Sequence, residues 1–225
     1  MDPDEASGTA AESAASGWYS QAARRLEASN ALDITSRNIM SLVTDALAVV
    51  YVGANATQIG LLNAAGTVAF LVLGAPIGVW IDRADARKAM VLATFSRSAV
   101  CLLLAFAIAR GHTSFYLLAI VSLLIGISGT VAETGQTVHA TQVVEKSSIS
   151  LLISRLSAVD KVLRLAVPAA TGLALGLMGA PWLMVFAALI SLSAGIVLLN
   201  RGNGNVVSNH SEMPKEKRGK GKSRF

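Results

Sequence analysis

The chain has 225 residues, of which 53% are apolar and 15% charged, and its net charge is +5. Soluble domains usually carry roughly 25% charged residues, whereas residues 40–200 hold only 15 of the 33 Lys, Arg, Asp and Glu side chains, about 9% of that segment. This distribution excludes a water-soluble fold, and the single cysteine, Cys101, excludes a disulfide framework within one chain.

The first part of the chain predicts a polar segment followed by two membrane spans. Residues 1–34 form the predicted polar cytoplasmic segment. Within it, residues 1–30 have neither a basic start nor an apolar run, so a secretory signal peptide is not expected. A bilayer core needs roughly 20 apolar residues per helix. The uncharged stretch between Asp45 and Asp82 is therefore long enough for two helices, which we expect at 35–53 and 58–81.

Four further spans are expected downstream. The apolar runs predict a third helix at 89–109 and a fourth at 114–136. Residues 165–200 are again uncharged, and Gly179-Ala-Pro181 divides them into a fifth and a sixth helix. The predicted architecture is a six-span, all-α transmembrane bundle over 35–200, followed by a basic disordered cytoplasmic tail at 201–225.

The segment before the fifth span, 144–164, is amphipathic, with leucine and valine at helical spacing between charged residues. One interpretation is a helix that lies along the inner membrane interface and runs into the fifth span. The alternative is a solvated loop.

The orientation follows from the positions of Lys and Arg, which concentrate on the cytoplasmic side of membrane proteins. With both termini inside, the inner segments hold 17 Lys and Arg residues and the outer turns hold only Arg110. The sequence therefore predicts a multi-pass protein of the cell membrane with cytoplasmic N- and C-termini. The excess positive charge lies in the tail. One interpretation is that this segment binds anionic lipid next to the membrane; the alternative is a positive-inside stop or a non-native end after truncation. A nucleic-acid partner is not expected.

Four ionisable residues fall within or near the predicted spans: Asp45, Arg97, Glu133 and His139. Such residues are costly in hydrocarbon, so each is a candidate functional residue. Arg97 is long enough to reach Asp45 if their helices adjoin, which would make either a structural ion pair or part of a transport path. For Glu133 and His139 we favour a position at the membrane interface with satisfied hydrogen bonds over a transport role.

Two G-x-x-x-G patterns predict close helix packing, one formed by Gly74 and Gly78 and the other by Gly172 and Gly176. Pro76 lies inside the first pattern, and Pro168 shortly precedes the second. A proline within a span frees a backbone carbonyl that must be satisfied elsewhere, so these residues predict kinked helices around a polar cavity.

The most specific pattern lies between the second and third spans and reads Gly78-Val-Trp-Ile-Asp82-Arg83-Ala-Asp-Ala-Arg87-Lys88. It resembles the G-x-x-x-D-R-x-x-R-[RK] signature of the major facilitator superfamily, in the same loop and on the same side of the membrane. Asp85 stands where the signature usually has a second glycine, as in the drug- and siderophore-efflux branch. The resemblance implies that Gly78, Asp82, Arg83, Arg87 and Lys88 form a conformational-switch loop.

The resemblance covers about 35–200 and implies two inverted three-helix repeats, which make half of the family's fold. In this branch Asp45, Arg97 and Glu133 match polar positions of the first, third and fourth spans, and Pro168 and Gly172 match a fifth-span pattern. The fourth span lacks the arginine of many proton-coupled members. The family joins two such bundles, whereas this chain has one.

Three hypotheses follow for function. The first is a transporter half that exports a small, partly hydrophobic compound by alternating access, as a homodimer or with a separate second half. The second is a truncated, transport-inactive protein that acts at most as an interaction partner. The third is a membrane enzyme, which is disfavoured because Asp82 and Asp85 form the only acidic pair of this kind and no catalytic set is evident. No cofactor, metal site or catalytic residue is expected.

Overall fold

The computed structural model describes residues 21–143 and 149–199, which form six α-helices. The helices are α1 (Gln21–Val50), α2 (Ala56–Arg83), α3 (Ala86–Ala109), α4 (Phe115–Val143), α5 (Ile149–Met178) and α6 (Ala180–Leu199). Five of them, α2 to α6, are long and apolar enough to cross a membrane by length and composition. The predicted tail at 201–225 and residues 1–20 lie outside the described residues.

Helix α1 differs most from its predicted bounds. It begins at Gln21 and not near 35, so fourteen residues assigned to the polar N-terminal segment belong to the bundle. Its buried face continues through Ala23, Leu26 and Asp33. Because this stretch of the buried face also holds Ser, Asn and Asp, its hydropathy is too low to reveal a helix.

Helix α5 also begins earlier than the predicted span. The amphipathic segment from Ile149 to Arg164 is continuous with the span, as expected, so the loop alternative is wrong. Leu152 and Leu156 pack in a buried cluster with Leu26 of α1 and Ala140 of α4. Their contacts place this part of α5 against the bundle and not along the membrane surface. Residues 144–148 lie outside the described residues.

The two three-helix repeats, α1–α3 and α4–α6, interlock. Helix α1 packs on α5 and α6, and in the symmetry-related way α4 packs on α2 and α3. Helices α3 and α6 pack against each other, and consecutive helices within one repeat make few contacts. This exchange is the arrangement expected of inverted repeats about a pseudo-two-fold axis, and it places α1 and α4 at the centre.

The three short turns on one side of the bundle share a conformation. Gly53, Gly111 and Gly179 each have a positive φ of 67° to 78°, which residues with a Cβ rarely adopt. On the opposite side, α2 and α3 are joined by a tight turn in which Asp85 caps α3. Its carboxylate accepts hydrogen bonds from the backbone N–H groups of Arg87 (3.1 Å) and Lys88 (3.4 Å). The aspartate at the usual glycine position of the signature therefore has a structural role.

Helix α6 is held to its neighbours by serine hydroxyls that donate to backbone carbonyls across the helix interfaces. Ser36 of α1 donates to Ala187 (2.9 Å), and Ser98 of α3 donates to Ala188 (3.1 Å). Ser191 of α6 donates in turn to Thr94 of α3 at 2.8 Å. In lipid, where apolar burial adds little to helix association, such small polar residues allow close approach and supply specific contacts.

The closest backbone contact lies between α2 and α4 and not at the predicted glycine patterns. A Cβ added to Gly126 would come within 2.4 Å of the Gly66 carbonyl oxygen. At Gly74, Gly78, Gly172 and Gly176 an added Cβ would meet nothing within 4 Å. These four glycines therefore do not pack the described bundle, and a packing role toward something outside it remains a prediction. Both α2 and α5 continue through their prolines, Pro76 and Pro168.

Candidate transport site

A chain of charged side chains crosses the middle of the bundle. Arg97 of α3 is fully buried and pairs through Nη1 with the Asp33 carboxylate of α1. Its Nε also donates to the Ser128 hydroxyl of α4 at 3.1 Å. Arg97 therefore pairs with Asp33 and not with Asp45, the partner that its reach had left open. Arg97 lies eleven residues after the first residue of α3, or about 16 Å from that end at about 1.5 Å per residue.

Asp33 joins this pair to a second arginine on its own helix. Its other carboxylate oxygen lies 3.5 Å from Nε of Arg37, one turn further along α1. Arg37 in turn donates through Nη1 to Glu133 of α4 at 2.7 Å. Glu133 is thus hydrogen-bonded between helices, and its position at the membrane interface stays a prediction. Two helices at the centre of the bundle are connected in this way by a charge-assisted hydrogen bond.

The series of charged side chains ends on α5, at the partly exposed ion pair of Arg164 with Asp160. Nη2 of Arg164 lies 3.6 Å from the same Glu133 oxygen, and its Nε lies 2.9 Å from Asp160. The side chains become more exposed along the series, from 1% for Arg97 through 14% for Arg37 to 43% for Glu133 and 54% for Arg164. The series therefore leads from the core of the bundle to an accessible surface between α1, α4 and α5.

A cleft of about 230 Å³ lies at this exposed end. Its walls mix charged and amide side chains with apolar ones; the polar lining includes Asn30, Arg37, Glu133, Gln136, Asp160 and Arg164. Ile34, Ile153 and Leu156 supply apolar surface. Since both signs of charge and several hydrogen-bonding groups converge here, the cleft can hold a molecule that has a polar group and an apolar body.

Of the residues predicted to form the conformational-switch loop, some contact another helix and others are exposed. Arg87 donates through Nε, and also through Nη2, to the Leu198 carbonyl near the end of α6; the Nε contact is 2.6 Å. It therefore caps a helix C-terminus, where a cation is favoured by the helix dipole. Asp82 and Arg83 are exposed at the end of α2, and Lys88 lies 3.7 Å from Asp85. Gly78 lies one turn before Asp82 on the same helix.

Asp45 lies away from the charge chain. It is five residues before the end of α1, and its side chain is half-buried. His139, on α4, is half-buried. Of the sequence candidates, the structure thus brings Arg97 and Glu133 into one network but leaves Asp45 outside it, and sequence reasoning missed Asp33 and Arg37. Their i, i+4 spacing and opposite charge were the available signal.

The family model for the major facilitator superfamily matches residues 28–223, most of the chain. The chain belongs to the major facilitator superfamily. As a superfamily member it is a multi-pass membrane protein. Its six helices correspond to one half of the superfamily's transporter fold. The superfamily fold also recurs in a solved structure, a bacterial homologue of the human lysosomal transporter Spinster in an inward-facing, unoccupied conformation. The two share 17% identity at a TM-score of 0.63.

This superfamily member is short beside that transporter. The match covers 81% of this chain and 42% of the Spinster homologue, so the chain spans less than half of that length. Comparison with curated protein sequences gives no match.

Proposed function

We propose that the chain is the N-terminal bundle of a facilitator-type transporter that exports a small, partly hydrophobic compound. The observation that carries this proposal is the cleft between α1, α4 and α5, where a charge chain from the bundle core reaches an accessible surface. Buried ionisable groups within an apolar bundle are costly and mark transport paths. The mixed lining favours an amphipathic substrate, in keeping with the drug-efflux branch that the loop signature resembles.

The proposed mechanism is alternating access with a second six-helix bundle, supplied by another copy or by a separate half. Helices α2 and α5 expose apolar residues such as Val72, Leu165 and Leu173, and their four G-x-x-x-G glycines are uncovered. With small residues and apolar side chains exposed, these faces are suited to close packing against a second bundle. Asp82 and Arg83 would contact that bundle at the inner side, while Arg87 holds α3 to α6.

The proposed location is the cell membrane, with the α2–α3 turn and both termini in the cytoplasm. The count of 17 basic residues against one supports it. Reporter fusions after Arg83 and after Gly111 would test the orientation: we expect a cytoplasmic reporter to be active only at the first position. The reverse pattern would contradict the proposal.

The transport assay uses purified chain in liposomes, alone and together with any six-helix chain that co-purifies with it. Ethidium, a lipophilic cation, and carboxyfluorescein, an anion, serve as probes. We expect protein-dependent movement of at least one probe, which Arg164→Gln reduces about tenfold. The matched control is Lys161→Gln, an exposed residue of α5 that is not in the lining of the cleft. Absence of movement in both arrangements, or equal loss in both variants, would overturn the proposal.

A further inference from the structure

A second cavity, of about 350 Å³, is lined in part by Arg97 and shares no lining residue with the transport cleft. It opens between α2 and α3, which barely touch each other, and α4 and α1 form its floor. Trp80 of α2, Leu92 and Val100 of α3, and Leu124 and Ile127 of α4 contribute apolar wall. Its volume lies within the range of roughly 300–1,000 Å³ that is typical of small-molecule sites.

The cavity faces the surroundings of the bundle at the level of the bilayer. Leu92 is 62% exposed, and Trp80 and Leu124 are also accessible at its rim. Because α3 and α4 are long and apolar enough to cross a membrane, we expect this opening to face lipid tails and not water. A molecule that enters here therefore comes from the hydrocarbon and is itself lipophilic.

One buried polar group in the cavity wall lacks a partner. Arg97 is 1% exposed, its Nη1 is held by Asp33 and its Nε by Ser128. Its Nη2 makes no hydrogen bond within residues 21–143 and 149–199. An unsatisfied buried donor is unfavourable, and more so when the group is charged. Arg97 lines the cavity, so a hydrogen-bond acceptor that reached Nη2 from the cavity would remove this cost.

The charges around Arg97 decide which acceptor fits. Asp33 already neutralises Arg97. The other charged side chains of this network are paired as Arg37 with Glu133 and Arg164 with Asp160. The network is therefore balanced, and an anionic ligand would add an uncompensated charge at low dielectric. A neutral carbonyl or ester oxygen satisfies the Nη2–H without that penalty.

We propose that this cavity binds a neutral lipophilic molecule with a single carbonyl or ester acceptor, which enters from the bilayer and accepts a hydrogen bond from Arg97. The site is separate from the transport cleft and does not depend on the proposed function. It shares one residue with the charge chain, so its occupant would contact the same arginine that holds Asp33.

Photolabelling in lipid nanodiscs tests the proposal. The probe is a methyl ester of a decanoic acid that carries a terminal diazirine, and labelled residues are mapped by mass spectrometry. We expect saturable labelling of the apolar residues that line the cavity. Competition with methyl decanoate should reduce it at least fivefold, whereas undecane, which has no acceptor, and the decanoate anion should compete at least fivefold less well.

Variants that fill the cavity supply a second readout. Leu92→Trp and Leu124→Trp place bulk at its rim, so each should lower labelling about tenfold. Leu103→Trp is the matched control, because Leu103 is exposed on α3, the helix that carries Leu92, and is not in the cavity lining. Equal competition by undecane, stronger competition by the anion, or labelling that persists in both filled variants would overturn the proposal. Intact folding of each variant is checked by size-exclusion chromatography.

Discussion

Arg97 and Asp33 form an ion pair in the middle of the bundle, between two helices that lie in the same repeat yet pack mainly against the other one. The pair is almost completely buried, so its partners depend on each other. Removing one partner leaves an uncompensated charge, which costs about 3–5 kcal/mol, whereas replacing both can be neutral or stabilising.

This dependence predicts the behaviour of an Asp33→Asn variant. We expect a loss of about 3–5 kcal/mol in the free energy of unfolding, measured by SDS titration in mixed micelles. The double variant Asp33→Leu with Arg97→Met should be more stable than Asp33→Asn. If Asp33→Asn unfolds at the same SDS fraction as the unsubstituted chain, the pair does not hold the two helices.

The outer end of the charge chain should behave differently. Arg164 is half exposed, and exposed ion pairs contribute about 0–1 kcal/mol. Arg164→Gln should therefore leave the unfolding midpoint nearly unchanged, while Arg37→Gln, which removes a largely buried partner of Asp33 and Glu133, should lower it clearly. Equal destabilisation by the two substitutions would argue against the graded burial described here.

The contact of Gly126 with Gly66 predicts an intolerance to side chains. Gly126→Ala should destabilise the bundle by several kcal/mol, since its Cβ would overlap the backbone of α2 and force α2 and α4 apart. Gly172→Ala is the control and should leave the fold intact, because nothing lies within 4 Å of the added atom. The thermal midpoint in detergent measures both, and a tolerated Gly126→Ala would contradict the close packing.

Arg87 is expected to stabilise the end of α6. Arg87→Gln removes a charge-assisted hydrogen bond to the Leu198 carbonyl and should cost about 1.5–3 kcal/mol. Hydrogen exchange in the last turn of α6 should rise with it. Lys88→Gln, one residue away and highly exposed, serves as the control and should change neither quantity; unchanged exchange in Arg87→Gln would contradict the capping role.

Cys101 provides a probe of folding. Its side chain is fully buried beside Met40, so a maleimide should label it at least a hundredfold more slowly in the folded bundle than after SDS unfolding. Rapid labelling of the folded protein would show that the contact of Cys101 with Met40 opens more readily than its burial indicates. A cross-link through this thiol is not expected to report on a dimer.

The sequence predicted the number of helices, their turns and the loop signature, because long apolar runs and glycine-rich breaks are local features. It did not predict the partner of Arg97. Asp33 lies in a stretch of α1 whose buried face is polar, so apolar runs alone did not reveal that the helix includes it. Gly66 and Gly126 were also missed, since nothing in the local sequence distinguishes a glycine that touches another backbone from one that faces outward, as Gly74 does.

The interlocked packing of the repeats has a consequence for biosynthesis. Helices α1, α2 and α3 find most of their neighbours among α4, α5 and α6, so the first three helices leave the ribosome without the surfaces that will cover them. A chain arrested near Gly111 should remain a loose set of inserted helices that membrane proteases degrade. Only completion of α6 closes the bundle, and assembly is therefore expected to follow translation as a single late event.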